Sequence, residues 1–210
     1  MSATDDVVVD GVPVALRDGS HVRIRQGRRS DRELLLRGFQ RLSPESRYRR
    51  FLAAMPRLPE ATVRQLTGID HFDHEAVIAL DEEGTEALGV AQYVRDPERP
   101  DAAEVAVTVI DDWQGRGLGT LLLEVISARA RQEGVRTFTA WMLVQNREMM
   151  DLFQHLGQVH VVDREAGTVE IEVAIPTAGV APELTELLRL AAKHDVATPG
   201  TRRDGRQMTL

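Results

Sequence analysis

The 210-residue chain has no cysteine and a single lysine, Lys193. Without thiols it has no disulfide framework, no thiolate metal site and no cysteine-bound acyl intermediate. A P-loop needs Gly-Lys-Ser/Thr, and the only lysine stands far downstream of the glycine-rich stretch, so that motif is excluded. No apolar run approaches the roughly 20 residues of a membrane helix. The first twenty residues, acidic and broken by Gly and Pro, do not read as a signal peptide. These absences point to a soluble cytoplasmic protein without a membrane partner. Excess positive charge is missing too: 26 basic against 33 acidic side chains give a net charge of −7, which argues against nucleic acid as a general partner. That nearly all the basic residues are arginine fits a coding bias or a lysine modifier that avoids modifying itself, and no function is drawn from it.

A hydrophobic fraction of 42% supports a real core, and the length suits one domain with an appendage. Val7–Val9 and Val12–Leu16 around Asp10-Gly11 read as a hairpin in an N-terminal extension over 1–20, and His21–Arg25 alternates like a strand. Ser30 with Glu33 forms a capping-box pattern for a helix running to Arg41. Ser43-Pro44 starts another, with Ser as cap and Pro at the first helical position; Tyr48, Phe51, Leu52 and Met55 share its apolar face. Pro59–Thr67 is a third. Strands follow at Glu75–Leu80, Leu88–Val94 and Ala103–Ile110, then a helix over Leu118–Glu133, a strand over Arg136–Leu143 and a helix after Asn146 ending at Gly157. Val159–Val162 and Thr168–Ile175 close as a hairpin. Antiparallel runs joined by one strand–helix–strand unit predict an α+β fold: a mixed, mostly antiparallel central sheet flanked by helices. Pro182–His194 predicts a C-terminal amphipathic helix within 177–210. It docks either on its own core or on a second subunit as a homodimer; the sequence leaves both open.

The most informative stretch is Glu104 to Thr120, an apolar strand feeding a turn with Gly115, Gly117 and Gly119 that opens a helix. A helix start exposes unpartnered N–H groups and partial positive charge, and glycines let an anion approach them closely. The dinucleotide pattern G-x-G-x-x-G fails, because Thr120 stands where its last glycine belongs. What remains is Q-x-x-G-x-G, filled by Gln114, Gly117 and Gly119.

This pattern resembles the acyl-coenzyme-A pyrophosphate loop of the GNAT superfamily of N-acyltransferases. The resemblance covers about His21 to Pro176 in element order and is most specific over Glu104–Gly157. Leu42–Phe51 is similar to the matching helix of the superfamily's bacterial protein-lysine acetyltransferases. The resemblance implies acetyl-CoA as co-substrate, no metal, and direct acetyl transfer to a primary amine, with a protein lysine favoured. A small-amine acceptor, or a non-catalytic acyl-CoA-binding module, are the alternatives. It further implies diphosphate donors in the backbone of Gly115, Arg116, Gly117, Leu118, Gly119 and Thr120, supplemented by the Gln114 and Arg116 side chains. Val107 and Val109 would pair with the pantetheine arm through their main chain, which demands a free or splayed strand edge. Glu104 is the candidate base: it shares a strand face with the small residues Ala106 and Thr108, and the lysine-acetyltransferase members carry glutamate there. Asn146 combines a helix cap with a coenzyme contact. The chain departs from the family at Phe153, where many members place a thiolate-protonating tyrosine, and at Gln158, where an aromatic is usual. Asp111 and Asp112 read as solvated or capping. His71-x-x-His74 lacks further ligands and reads as surface, and Arg47, Arg49 and Arg50 read as a solvated helix face.

Overall fold

The computed structural model describes residues 10–176. The predicted C-terminal helix, and Val7–Val9 of the N-terminal hairpin, lie outside the described residues. Val12–Ala15 (β1) instead pairs antiparallel with His21–Gln26 (β2) across a turn in which Asp18 accepts from the Ser20 N–H and hydroxyl. Helices Arg32–Gln40 (α1), Pro44–Phe51 (α2) and Glu60–Leu66 (α3) follow. The long antiparallel strands are His74–Leu80 (β3), Ala87–Arg95 (β4) and Ala102–Val109 (β5). A short 3-10 turn, Asp111–Trp113, leads to Leu118–Gln132 (α4), Thr137–Leu143 (β6) and Arg147–Leu156 (α5), then the hairpin Val159–Glu165 (β7) and Thr168–Ala174 (β8). The eight strands form one sheet in the order β1-β2-β3-β4-β5-β6-β8-β7, antiparallel throughout except at β5–β6. The fold is therefore the mixed, mostly antiparallel sheet with flanking helices that the element order implies.

Alternation along the strands separates two faces. One carries Val77, Ala91, Val105 and Val107, all buried against α4. The approach is close at Gly89, where an added Cβ would lie 2.9 Å from the Leu122 side chain. The opposite face carries Ala76, Ile78, Val90 and Thr108 under α1–α3. α5 packs beside α4, with Phe153 fully buried and His155 3.5 Å from Glu124.

Two local expectations are corrected. Ser30 does not cap α1; Asp31 is the cap residue, because its carboxylate closes the preceding turn by accepting from the Arg28 N–H at 2.7 Å and from the Arg25 guanidinium. Leu52 does not extend the apolar face of α2. It adopts the left-handed conformation (φ 53) that ends the helix, and Tyr48 stands 44% exposed.

His74 is corrected as well, whereas His71 is exposed as the surface reading expects. His74 is buried and His71 bonds Glu75 Oε1 at 2.9 Å. Glu75, fully buried on β3, also accepts from Arg129 and Gln26. Asp70 Oδ1 receives the N–H groups of Phe72, Asp73 and His74, which shapes the loop. Among the described residues no group of three or more side chains suited to a metal ion occurs. Glu75 holds the pKa of His71 above its ordinary value, chiefly through the hydrogen bond and against partial burial. A raised folded-state value stabilises fully below the unfolded pKa of about 6.5 and fades as pH climbs through the folded one. The urea midpoint is thus expected to fall between pH 6 and pH 9, and His71→Ala is expected to flatten that slope. An equal slope in the variant would assign the pH dependence elsewhere.

Candidate functional site

β5 is bonded to β4 along its whole length, from Ala103 opposite Arg95 to Val109 opposite Gly89. Its pairing with β6 stops after Glu104 opposite Thr139. The N–H of Ile110 donates to Leu88 O, and Ala102 O accepts from Asp96 N–H. Even-numbered residues therefore turn their polar backbone to β4, and odd-numbered ones turn theirs the other way. Asp101 O, which accepts from Arg136 and Thr137 at the base of β6, has the same odd parity. Past Glu104, then, Val107 and Val109 direct N–H and C=O into the gap between β5 and β6. Glu104 stands where the gap begins. It is exposed, and on its side of the sheet Ala106 and Thr108 are half-buried.

At the other end of this gap lies the glycine turn. Gly115 and Gly117 take positive φ (74 and 86), and Gly117 is the N-cap of α4 with no side-chain bond. None of the N–H groups from Gly115 through Thr120 donates to an acceptor among the described residues. Leu118 buries its side chain and leaves its N–H on the turn. Arg116 lies over the Trp113 ring at 4.8 Å and 3.8 Å from Asp18, a cation on the rim. A diphosphate docked here meets converging donors, the helix dipole and one guanidinium.

The Gln114 side chain is otherwise engaged. Its Nε2 donates to Val109 O at 3.0 Å and to Ser46 Oγ at 3.3 Å. Asp111 accepts from the Ser43 N–H at 2.9 Å and the Ser46 hydroxyl at 3.0 Å. It is a cap, but of α2, a helix more than sixty residues earlier in the chain; Ser43 adds the local cap to Ser46 N–H. These bonds hold the Asp111 carboxyl below its usual pKa despite the opposing cost of burial. They also pin α2 against the turn.

That docking corrects the solvated-face reading of the α2 arginines. Arg47 donates to Pro56 O and Gln40 O, and Arg49 pairs with Glu45 and with Glu148 of α5. Arg50 is half-buried over the Phe51 ring. Burial lowers its pKa, and the nearby Glu104 charge opposes that shift; guanidinium stays protonated regardless. Among the described residues no carboxylate comes within ion-pair distance of Arg50.

β6 and α5 close the groove. Asn146 is buried and caps α5, its Oδ1 accepting from Met149 N–H at 3.2 Å. Its amide nitrogen has no acceptor among the described residues, and Asn146 lines the groove. Trp141 and Met142 line the β6 side. Phe153, on the α5 side, brings no hydroxyl. The cavity has a volume of about 790 Å³, within the roughly 300–1,000 Å³ of small-molecule sites. Glu104, Val107, Val109, Gln114, Gly115, Gly117, Gly119, Thr120 and Asn146 all border it. Ser46, Arg50 and Trp141 border it too, unforeseen from sequence because their positions depend on α2 docking and on the β5–β6 gap.

Gly117 offers a direct test of the turn. A Cβ there meets no protein atom within 4 Å, so space inside the protein is not the constraint. The constraint is φ 86, where a β-branched residue carries about 1–3 kcal/mol of strain. Gly117→Val is expected to re-aim the turn's N–H groups and weaken coenzyme A binding by about 5- to 150-fold, measured by calorimetry. Wild-type affinity would dissociate the turn from the ligand.

Comparisons with known proteins converge. The sequence profile of the Acetyltransferase (GNAT) family matches residues 36–158. Acetyltransferase Pat of Mycolicibacterium smegmatis is 32% identical over 185 residues, which are 87% of this chain and 55% of that protein. The chain thus spans about half the length of that relative. Acetyltransferase PA5475 of Pseudomonas aeruginosa is 36% identical over 156 residues, 73% of this chain and 83% of that one. The crystal structure of the GNAT domain of S. lividans PAT superposes with a TM-score of 0.71 at 34% identity, covering 78% of this chain and 96% of the domain.

Proposed function

Because the chain belongs to the GNAT acetyltransferase family and is an N-acyltransferase, we propose that it transfers the acetyl group of acetyl-CoA directly to a protein lysine. One observation carries the reading. A carboxylate, Glu104, stands where β5 and β6 part, along the same gap into which Val107 and Val109 direct their backbone, with Val109 O held by Gln114, and along which the N–H groups of the glycine turn lie. The diphosphate binds at the turn, and the pantetheine arm bonds Val107 and Val109 like an added strand. The thioester then lies along β5 towards Glu104. Glu104 takes a proton from the incoming ammonium, directly or through water. The amine nitrogen attacks the thioester carbon and the C–N bond forms; the nitrogen of the tetrahedral adduct then gives its second proton to solvent, the C–S bond breaks and the thiolate leaves. No tyrosine is available at Phe153, so the thiolate is protonated by solvent; with a thiol pKa of about 8.5 it is an adequate leaving group.

Lysine is favoured over small amines by the resemblance of Leu42–Phe51 to the protein-lysine members and by the Pat relatives. Glu104 is exposed where the gap begins, which suits a side chain presented by a macromolecule. Thiol release from acetyl-CoA, measured with lysine peptides, whole proteins, polyamines, amino acids and aminoglycosides, tests both parts. Release with proteins and lysine peptides is expected to exceed that with every small amine. The reverse order would move the acceptor to small amines.

A further inference from the structure

The turn between β1 and β2 reaches the glycine turn that opens α4. Its shape is set by its own bonds. Leu16 is buried and donates its N–H to Ser20 O at 2.8 Å, Gly19 N–H closes back on Leu16 O at 3.0 Å, and Ser20 N–H donates to Asp18 Oδ1 at 3.0 Å. Asp18 then stands 3.8 Å from Arg116. Arg17, exposed between Leu16 and Asp18, borders the groove together with Gly115 and Gly117. We propose that Arg17 is a phosphate-binding residue for the coenzyme, a cation that the N-terminal hairpin brings to the glycine-turn end of the groove. The inference rests on the reading of the groove as the coenzyme site, and it concerns a residue outside the stretch 36–158 that matches the family.

Elimination among the cations of the groove singles Arg17 out. Arg17, Arg49 and Arg50 are the arginines that border it. Arg49 is engaged by Glu45 and Glu148. Arg50 lies over Phe51, within the field of Glu104 and so towards the other end. Arg116, on the rim, is turned onto the Trp113 ring and shares its charge with Asp18. Arg17 has neither a carboxylate nor a hydrogen-bond partner among the described residues. The glycine turn itself offers dipoles, N–H groups and a helix end equivalent to about half a charge. Coenzyme A brings a diphosphate and a ribose 3′-phosphate, several full negative charges, to a chain whose own net charge is −7. A free guanidinium, whose fork of donors fits phosphate oxygens, supplies the opposite charge that the turn lacks. Because Arg17 is exposed, salt screens its contribution.

Calorimetry on the full chain compares wild type, Arg17→Ala and Arg17→Lys, each with coenzyme A and with dephospho-coenzyme A, which lacks the 3′-phosphate. Arg17→Ala is expected to weaken coenzyme A binding by about 5- to 20-fold. In thiol-release kinetics with a lysine peptide the effect should fall on the KM for acetyl-CoA rather than on kcat. Arg17→Lys keeps the charge and is expected to recover most of the loss. Between about 0.05 and 0.5 M salt, affinity should fall less steeply in Arg17→Ala than in wild type. An equal loss with both ligands places the guanidinium on the diphosphate, and a loss confined to coenzyme A places it on the 3′-phosphate; either supports the proposal. Wild-type affinity in Arg17→Ala would overturn it and leave the proposed function standing. A loss that Arg17→Lys fails to recover would overturn it as well, since the hairpin would then act through packing and not through charge. If the wild-type protein bound no coenzyme A at all, the function itself would fall, and the inference with it.

Discussion

Glu104→Gln is expected to lower turnover at neutral pH by about 10²–10⁴-fold, the usual worth of a positioned base, while leaving acetyl-CoA affinity at the wild-type value. A lysine amine, with a pKa of about 10.4, is unprotonated in only about one molecule in 2,500 at pH 7. The carboxylate removes the proton at the reacting position instead of waiting for that fraction. The site makes the separation of effects possible. Glu104 stands where the β5–β6 gap begins, away from the turn of Gly115–Thr120, and among the described residues its side chain makes no hydrogen bond whose loss would disturb β5. The deficit should shrink as pH approaches the amine's own pKa, because solvent then supplies free amine. Initial rates of thiol release from pH 6.5 to pH 10 would show the two curves converging. A variant that kept more than half the wild-type rate at neutral pH would remove Glu104 from the chemistry. One that lost coenzyme affinity in proportion would make it a binding residue.

The second large effect concerns stability. Glu75→Ala is expected to cost about 3–5 kcal/mol, because removing one member of a buried pair strands the other. Glu75 is fully buried, and its Oε2 accepts two bonds from Arg129, at 3.1 and 3.0 Å. Although burial opposes it, the bond with His71 and the Arg129 charge keep the Glu75 carboxyl below its ordinary pKa. Arg129 would retain Glu133 at 3.3 Å, which favours the lower end of the range. Such a loss is a large share of a typical stability of 5–15 kcal/mol. Urea titration read by linear extrapolation measures it. Replacing both Glu75 and Arg129 by methionine should recover most of the loss, since no charge is then left buried. A single-variant cost below about 1 kcal/mol would mean that water reaches the cluster and solvates Arg129.

The sequence patterns that proved legible are those written in neighbouring residues. Ser43-Pro44 announces α2 because the cap and the proline act within one helical turn. Asn146 and Gly157 bound α5 for the same reason, and Gln114-x-x-Gly117-x-Gly119 marks the turn because its φ values are local. The alternation of Glu104, Ala106 and Thr108 against Val105 and Val107 reads directly as two strand faces. Ser30 misled: the pattern Ser-x-x-Glu is local, but Asp31 was claimed by Arg25, six residues back across a turn. His74 misled likewise: it follows an exposed polar loop but opens β3, which is buried along its whole length.

Composition and local spacing by themselves determined the order of elements, the strand face of Glu104 and the glycine turn that opens α4. Each depends on backbone preferences and side-chain periodicity over a few residues. Tertiary structure alone decided that β5 and β6 separate after Glu104, that Asp111 and Gln114 anchor α2 to the turn, that Arg50 over Phe51 lines the groove, and that an apolar cavity adjoins it. Those features join residues tens of positions apart, and nothing in one segment encodes where another will come to rest against it.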